Sequence, residues 1–299
     1  MKKCLLLLAC FVFGPLVKAQ MLLVEASAER PTALTFNPDF ISRNGIKSVK
    51  GQDWTKRDGR PMVARNRYYL YRFGERGLME YANNSFGSPG SGVDTASVMY
   101  TNGSDGKLLE ELHNDPNGWY AIRNEYDIGG KPVRAMHVRI ENLSSDRYRL
   151  EPGTNTVVSD ETFEYTAIND TSWRKTFLND RGRPYREETY KYDRLGYLRV
   201  VEDRNLITQR MGQTTFIYDP NGRLGERTDV SDLGNPHPDT WRWSYDKAGN
   251  PLTRDVLRDG RPVRHSEYVY AEGTLFLKAI ITKDMETGLI EIVRYDTFR

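Results

Sequence analysis

Tyr218-Asp219-Pro220-Asn221-Gly222-Arg223-Leu224 is the stretch on which the fold turns. The phrase stands 26 residues earlier as Tyr192-Asp193-Arg194-Leu195-Gly196-Tyr197-Leu198, and 27 residues later as Tyr245-Asp246-Lys247-Ala248-Gly249. In each copy a second aromatic residue precedes the tyrosine by two: Tyr190, Phe216 and Trp243. Residues two apart lie on one side of a β-strand. The aspartate then starts a turn, because its short side chain accepts backbone hydrogen bonds locally, and the glycine supplies a φ > 0 position. The apolar residue that follows, Leu198 or Leu224, opens the next strand.

Looser copies extend the series in both directions. The anchors are Phe73, Tyr100, Tyr126, Tyr165, Tyr192, Tyr218, Tyr245, Tyr270 and Tyr295, and most steps are 25 to 27 residues. The step from Tyr126 to Tyr165 is longer, which places an insertion or a degenerate unit around Arg139 to Asn155. Between the anchors lie second turns: Arg57 to Pro61, Asn179 to Pro184, Asp232 to Asn235 and Arg258 to Pro262. Two turns per unit leave two strands of about 7–10 residues, so each unit reads as one hairpin and the series as an antiparallel meander. The expected fold class is all-β, tandem antiparallel β-hairpin repeats, with one short helix near Asn37 to Arg43. A single hairpin cannot bury its aromatic face alone. Stacked hairpins can, and each cross-strand aromatic pair adds roughly 0.2–1 kcal/mol. The tyrosine ladder is therefore read as structural.

The phrases at Tyr192 and Tyr218 resemble the YD repeats of the Rhs family. The likeness spans Ile46 to Arg299 and is strongest from Tyr185 to Asp259. It implies an extended, curled meander sheet, as in a small exported bacterial member of that family. The family's toxin-bearing members are a poorer match, since no core segment closes the repeats here and the chain stops inside one, at Tyr295-Asp296-Thr297-Phe298-Arg299.

The first residues read as an address. Lys2 and Lys3 precede an apolar run from Cys4 to Val17, and Val17-Lys18-Ala19 fits a cleavage site before Gln20, the pattern of a secretory signal peptide over 1–19. A retained anchor is the bland alternative, but Gly14 and Pro15 interrupt a run already short for a membrane span. Leu7-Leu8-Ala9-Cys10 also matches a lipoprotein box, with Cys10 as the lipid carrier. The expected layout is a leader at 1–19, a lead-in at 20–45 and the repeat domain at 46–299. The expected location is the periplasm, the outer-membrane surface or the medium.

Composition narrows the function. Both cysteines lie in the leader, so the mature chain has neither a disulfide framework nor a thiolate zinc site. The chain has 43 basic and 41 acidic residues, and without Lys2, Lys3 and Lys18 the balance is 40 to 41. No basic stripe marks a nucleic-acid partner. Mean hydropathy is −0.66, yet 18 Tyr, 11 Phe and 5 Trp argue against disorder. A thin sheet with an aromatic face and a charged face would give this mixture.

No catalytic residue, metal or cofactor is expected. His113, His137, His237 and His265 lack ligand spacing. Scattered carboxylates argue only weakly for a glycosidase. Asn114 to Gly118 and Asp219 to Gly222 lack the spaced oxygens of a calcium loop and read as turns. Gly87 to Gly92 is neither a nucleophile elbow nor a phosphate loop. One binding feature stands out. If Tyr120, Ile122 and Tyr126 face inward, Trp119 faces outward beside Arg123, as an exposed platform on which a sugar ring could stack. The expected function is a non-catalytic exported scaffold of the bacterial envelope that presents a glycan or an envelope protein, with self-association through free sheet edges. The alternatives are a polysaccharide-acting hydrolase and an accessory or remnant of an Rhs-type system.

Overall fold

The computed structural model describes residues 20–31, 33–57, 59–86 and 94–299. The leader expected over 1–19, with Cys10, and the loop from Gly87 to Gly92 lie outside the described residues.

Two short strands, β1 (Leu22–Leu23) and β2 (Thr35–Phe36), pair antiparallel and are followed by helix α1 (Pro38–Arg43). Asn37 caps the helix: its side chain accepts the Asp39 N–H at 3.2 Å, and proline fills the first turn.

Eighteen strands then follow. The first seven are β3 (Ser48–Lys56), β4 (Val63–Phe73), β5 (Met79–Phe86), β6 (Asp94–Asn102), β7 (Leu108–Asp115), β8 (Gly118–Tyr126) and β9 (Pro132–Asn142). The next five are β10 (Pro152–Asn169), β11 (Ser172–Leu178), β12 (Pro184–Tyr192), β13 (Leu198–Asn205) and β14 (Met211–Tyr218). The last six are β15 (Leu224–Val230), β16 (Pro238–Tyr245), β17 (Pro251–Arg258), β18 (Arg261–Tyr270), β19 (Leu277–Asp284) and β20 (Ile290–Phe298). Each pairs antiparallel with its neighbour in sequence. β20 also pairs with β3, from Ile290 opposite Lys56 to Phe298 opposite Ser48, so the sheet is a closed barrel.

Closure corrects the expectation of an open, curled meander. Local turns decide which strands are neighbours along the chain. They do not decide whether the first strand meets the last, because that pairing joins residues from opposite ends of the repeat. Closure also removes the free sheet edges through which self-association was expected, since β3 and β20 cover each other.

The turn at Asp219 shows why the phrase recurs. Asp219 Oδ1 accepts the N–H groups of Asn221 and Arg223, both at 2.9 Å, and Oδ2 accepts Arg223 Nε at 2.7 Å. Burial alone would raise the carboxyl's pKa, but these donors outweigh it and hold the group below its ordinary value. Gly222 has φ of 76°, and an added Cβ would strike the Tyr197 side chain.

Just before these turns the ladder shifts register, leaving an extra residue on the outgoing strand, such as Arg199, Gly225 or Leu252. At this bulge the tyrosine hydroxyl reaches back to the preceding hairpin, and Tyr165 reaches back in the same way although its own strand shifts register only between Ala167 and Asn169. Tyr126 donates to Leu108 O, Tyr165 to Pro132 O, Tyr218 to Leu198 O, Tyr245 to Leu224 O and Tyr270 to Pro251 O, at 2.5 to 3.1 Å. Each of these five hairpins is thus pinned to the one before it. Phe73 fills its rung without a hydroxyl and is buried. Tyr295 is buried opposite Gly51, where any side chain would meet its ring at 2.9 Å. Tyr100 is displaced from the rung expected for it. Asn102 stands at the bulge instead, and its Nδ2 donates to Met79 O at 3.0 Å.

The tyrosine face carries the core. Met21, Leu22, Phe36, Phe40 and Ile41 from the N-terminal segment pack with Val49, Phe73, Tyr268, Leu277, Ile280 and Tyr295 of the barrel. Val24, Ala26 and Ala28 continue over Leu198, Val201, Phe216 and Leu224. Arg227, 2% exposed, fixes the segment by donating to the carbonyls of Ser27, Ala28 and Glu29 while pairing with Asp229 at 2.7 Å.

Candidate functional site

The long step between Tyr126 and Tyr165 is spent in two places. The first is the loop at 143–151, which folds back on the sheet. Trp119 Nε1 and Asn114 Nδ2 both donate to Arg147 O, at 2.9 and 3.2 Å. Trp119 is 5% exposed and packs with Ala121, Val138 and Ile140. The exposed Trp119–Arg123 platform is therefore corrected. Strand alternation does put Trp119 on the face opposite Tyr120, Ile122 and Tyr126, but the loop covers it and uses its indole N–H. Arg123 instead donates to Glu110 Oε2 at 2.7 Å.

The second place is β10 itself, 18 residues long. It runs past Tyr165, which pairs with Lys175; Lys175 in turn pairs with Glu188 on β12. The next rung, Tyr192, lies beyond that level, so the barrel rim steps down here. The hairpin ends in a tight Asp170-Thr171 turn without glycine, held by Asn169 Oδ1 accepting the Thr171 N–H at 3.0 Å. Tyr192 N–H donates to Thr171 O at 2.8 Å. Its hydroxyl has no hydrogen-bond partner among the described residues, unlike those of Tyr165 and Tyr218.

A cleft of about 630 Å³ occupies this step, lined by Tyr165, Asn169, Asp170, Trp173, Tyr192 and Arg194, among others. Its size falls within the roughly 300–1,000 Å³ of small-molecule sites. One face of Trp173 is stacked on Tyr190, with ring centroids 4.0 Å apart and planes 10° apart, and its centroid is 5.6 Å from that of Tyr165. The Trp173 indole N–H has no partner among the described residues. Lys131 Nζ sits 5.1 Å from the Tyr165 ring centre. Burial pushes the Tyr165 hydroxyl up to about 12. It raises Tyr190 further, helped by Glu188, whose Oε2 accepts that hydroxyl at 2.5 Å. These phenols are neutral donors across the physiological range.

Sequence reasoning placed Tyr165 and Tyr192 on the ladder but missed Trp173 and the cleft. The signal was available: after Tyr165 the phrase has neither its aspartate nor its glycine, and the chain runs on to the glycine-free Asn169-Asp170-Thr171 turn. Elsewhere the histidines are spent locally. His113 Nε2 lies 2.8 Å from Glu111 Oε2 and its ring stacks on Tyr120, while His237 and His265 contact Asp259 and Asp255. Among the described residues no three His, Cys, Asp or Glu side chains converge on a metal position. No helix among them is long and apolar enough to cross a membrane.

No protein-family model and no curated protein matches this sequence. Solved structures do overlay on it. A porin-like protein from Bacteroides uniformis ATCC 8492 is 10% identical over 85% of this chain and 98% of its own, with a TM-score of 0.41. A porin-like protein from Bacteroides vulgatus ATCC 8482 is 10% identical over 72% of this chain and 97% of its own, with a TM-score of 0.32. The Photorhabdus luminescens Tc holotoxin pore is 13% identical over 75% of this chain but only 14% of its own, with a TM-score of 0.22. At such low identity and overlap none of the three carries an argument about what this chain does. The resemblance to the Rhs family is corrected as well: no family model supports it, and the sheet is a closed eighteen-strand barrel, not a strip of YD repeats.

Proposed function

We propose that this chain is a non-catalytic, exported β-barrel of the cell envelope that works in water and presents a ligand at its rim. The observation that carries the reading is charge on both faces of the strands. On β12, Arg186 and Glu188 share the face of Tyr190, while Glu187 and Lys191 occupy the other. On β16, Asp239 lies on the face of Trp241 and Arg242 on the opposite one. A lipid-spanning barrel needs an unbroken apolar band outside, and a Lys or Arg at its midplane costs about 2–4 kcal/mol. Neither face of these two strands offers such a band. Export is supported by the leader pattern at 1–19.

The test is purification of the chain from Gln20 to Arg299 without detergent. A monodisperse protein that stays in the supernatant when mixed with lipid vesicles is the expected result. Recovery only in detergent, with carbonate-resistant insertion into vesicles, would overturn the reading.

A further inference from the structure

We propose that the cleft at the step in the rim binds a neutral carbohydrate, an oligosaccharide whose ring packs against Trp173 and Tyr192. This deepens, and rests on, the reading of the chain as a ligand-presenting barrel. A sugar ring offers an apolar C–H surface and a fringe of hydroxyls, so its site must combine aromatic surface with unspent donors and acceptors. The cleft has both. Tyr165, Trp173 and Tyr192 supply aromatic surface with polar tips, side chains suited to a half-wet setting. The Tyr192 hydroxyl and the Trp173 indole N–H have no partner within the described structure. Asp170, in the turn that borders the cleft, makes no side-chain hydrogen bond or ion pair there either, and supplies an acceptor.

The charge of the lining sets the class of sugar. Lys131 and Arg194 stand against Asp170 and Asp193. The balance is neutral, which disfavours a phosphate or an acidic saccharide. The N-terminal segment, which covers much of the tyrosine face, contributes no residue to the lining. The cleft is therefore open to solvent in the assembled barrel. At Tyr126, Tyr165, Tyr218, Tyr245 and Tyr270, by contrast, the backbone of the preceding hairpin already uses the hydroxyl.

The experiment is calorimetric titration of the Gln20–Arg299 protein with cellohexaose, maltohexaose and chitohexaose, repeated on four variants. Saturable binding of at least one saccharide is expected. Trp173→Ala and Tyr192→Ala should each weaken it about tenfold or more. Tyr192→Phe, which keeps the ring, should weaken it about threefold to tenfold. Tyr218→Phe, whose hydroxyl serves the scaffold, should leave it unchanged. Trp173→Ala also removes the stack on Tyr190, so Tyr192→Phe decides the matter if that variant fails to fold. No binding of any of the three, or binding indifferent to Tyr192→Phe, overturns the proposal. A reducing-end assay on the same mixtures separates the two readings. Shortened products would sink the non-catalytic function and keep the cleft; a soluble barrel that binds nothing would do the reverse.

Discussion

The hydroxyl of Tyr218 donates to Leu198 O at 2.9 Å across the junction of two hairpins. Removing it leaves a partly buried carbonyl without its donor, so Tyr218→Phe is expected to destabilise the barrel by about 1 kcal/mol. Tyr192 has the same place in the sequence phrase, but its hydroxyl has no hydrogen-bond partner among the described residues. Tyr192→Phe is expected to be neutral within about 0.5 kcal/mol. Paired chemical melts of the two variants check both, and equal losses would show that the free hydroxyl at the step has been misread. Much at this scale was legible in the sequence. Tyrosine, aspartate and glycine each act within a few residues, so their spacing announces the turn. Legibility fails where a partner is distant. Trp119 was placed on the correct side of its strand, but nothing near it shows that the loop at 143–151 would cover it. At Tyr100 the bulge moved the rung by two residues, and only the pairing across strands reveals that Asn102 holds it.

At the scale of elements, the N-terminal segment depends on one arginine. Arg227 holds three successive carbonyls of that segment and the buried carboxylate of Asp229. Arg227→Ala leaves Asp229 with only the more distant Arg30, at 3.5 Å, and frees the segment. Breaking a buried pair in this way costs about 3–5 kcal/mol. Limited proteolysis should then cut within residues 20–30, where the native protein resists. A variant that melts lower but keeps that resistance would show that Val24, Ala26 and Ala28 hold the segment by packing alone. The sequence gives little notice of this arrangement, since residues 20–45 have no repeat phrase and Arg227 lies some two hundred positions from the carbonyls it holds.

The barrel as a whole carries a belt of buried phenols, and that sets its response to alkali. Burial raises Tyr100 and Tyr218 to about 12, as it does Tyr165, and pushes Tyr71, Tyr245 and Tyr270 still higher. The folded state therefore keeps protons that the unfolded chain releases near the ordinary tyrosine value of 10.0. The stability these groups contribute is fully present below that pH and is lost as the pH rises from there toward about 12. Denaturant melts across this range, with tyrosinate absorbance followed in parallel, should show ionisation and unfolding together. Free ionisation of most tyrosines near their ordinary value, in a barrel still folded, would contradict the burial described.

The pairing of β20 with β3 also sets a clock. A chain made from its N-terminus delivers β3 among the first strands, and the partner for its bare side arrives last. At roughly 5–20 residues per second that interval lasts some tens of seconds. Throughout it the growing sheet is a lengthening strip whose first edge stays unsatisfied, however well each hairpin has formed. The nascent protein thus offers that edge to a neighbour until it is complete, and whatever holds it apart from other copies must act until the last strand is in place.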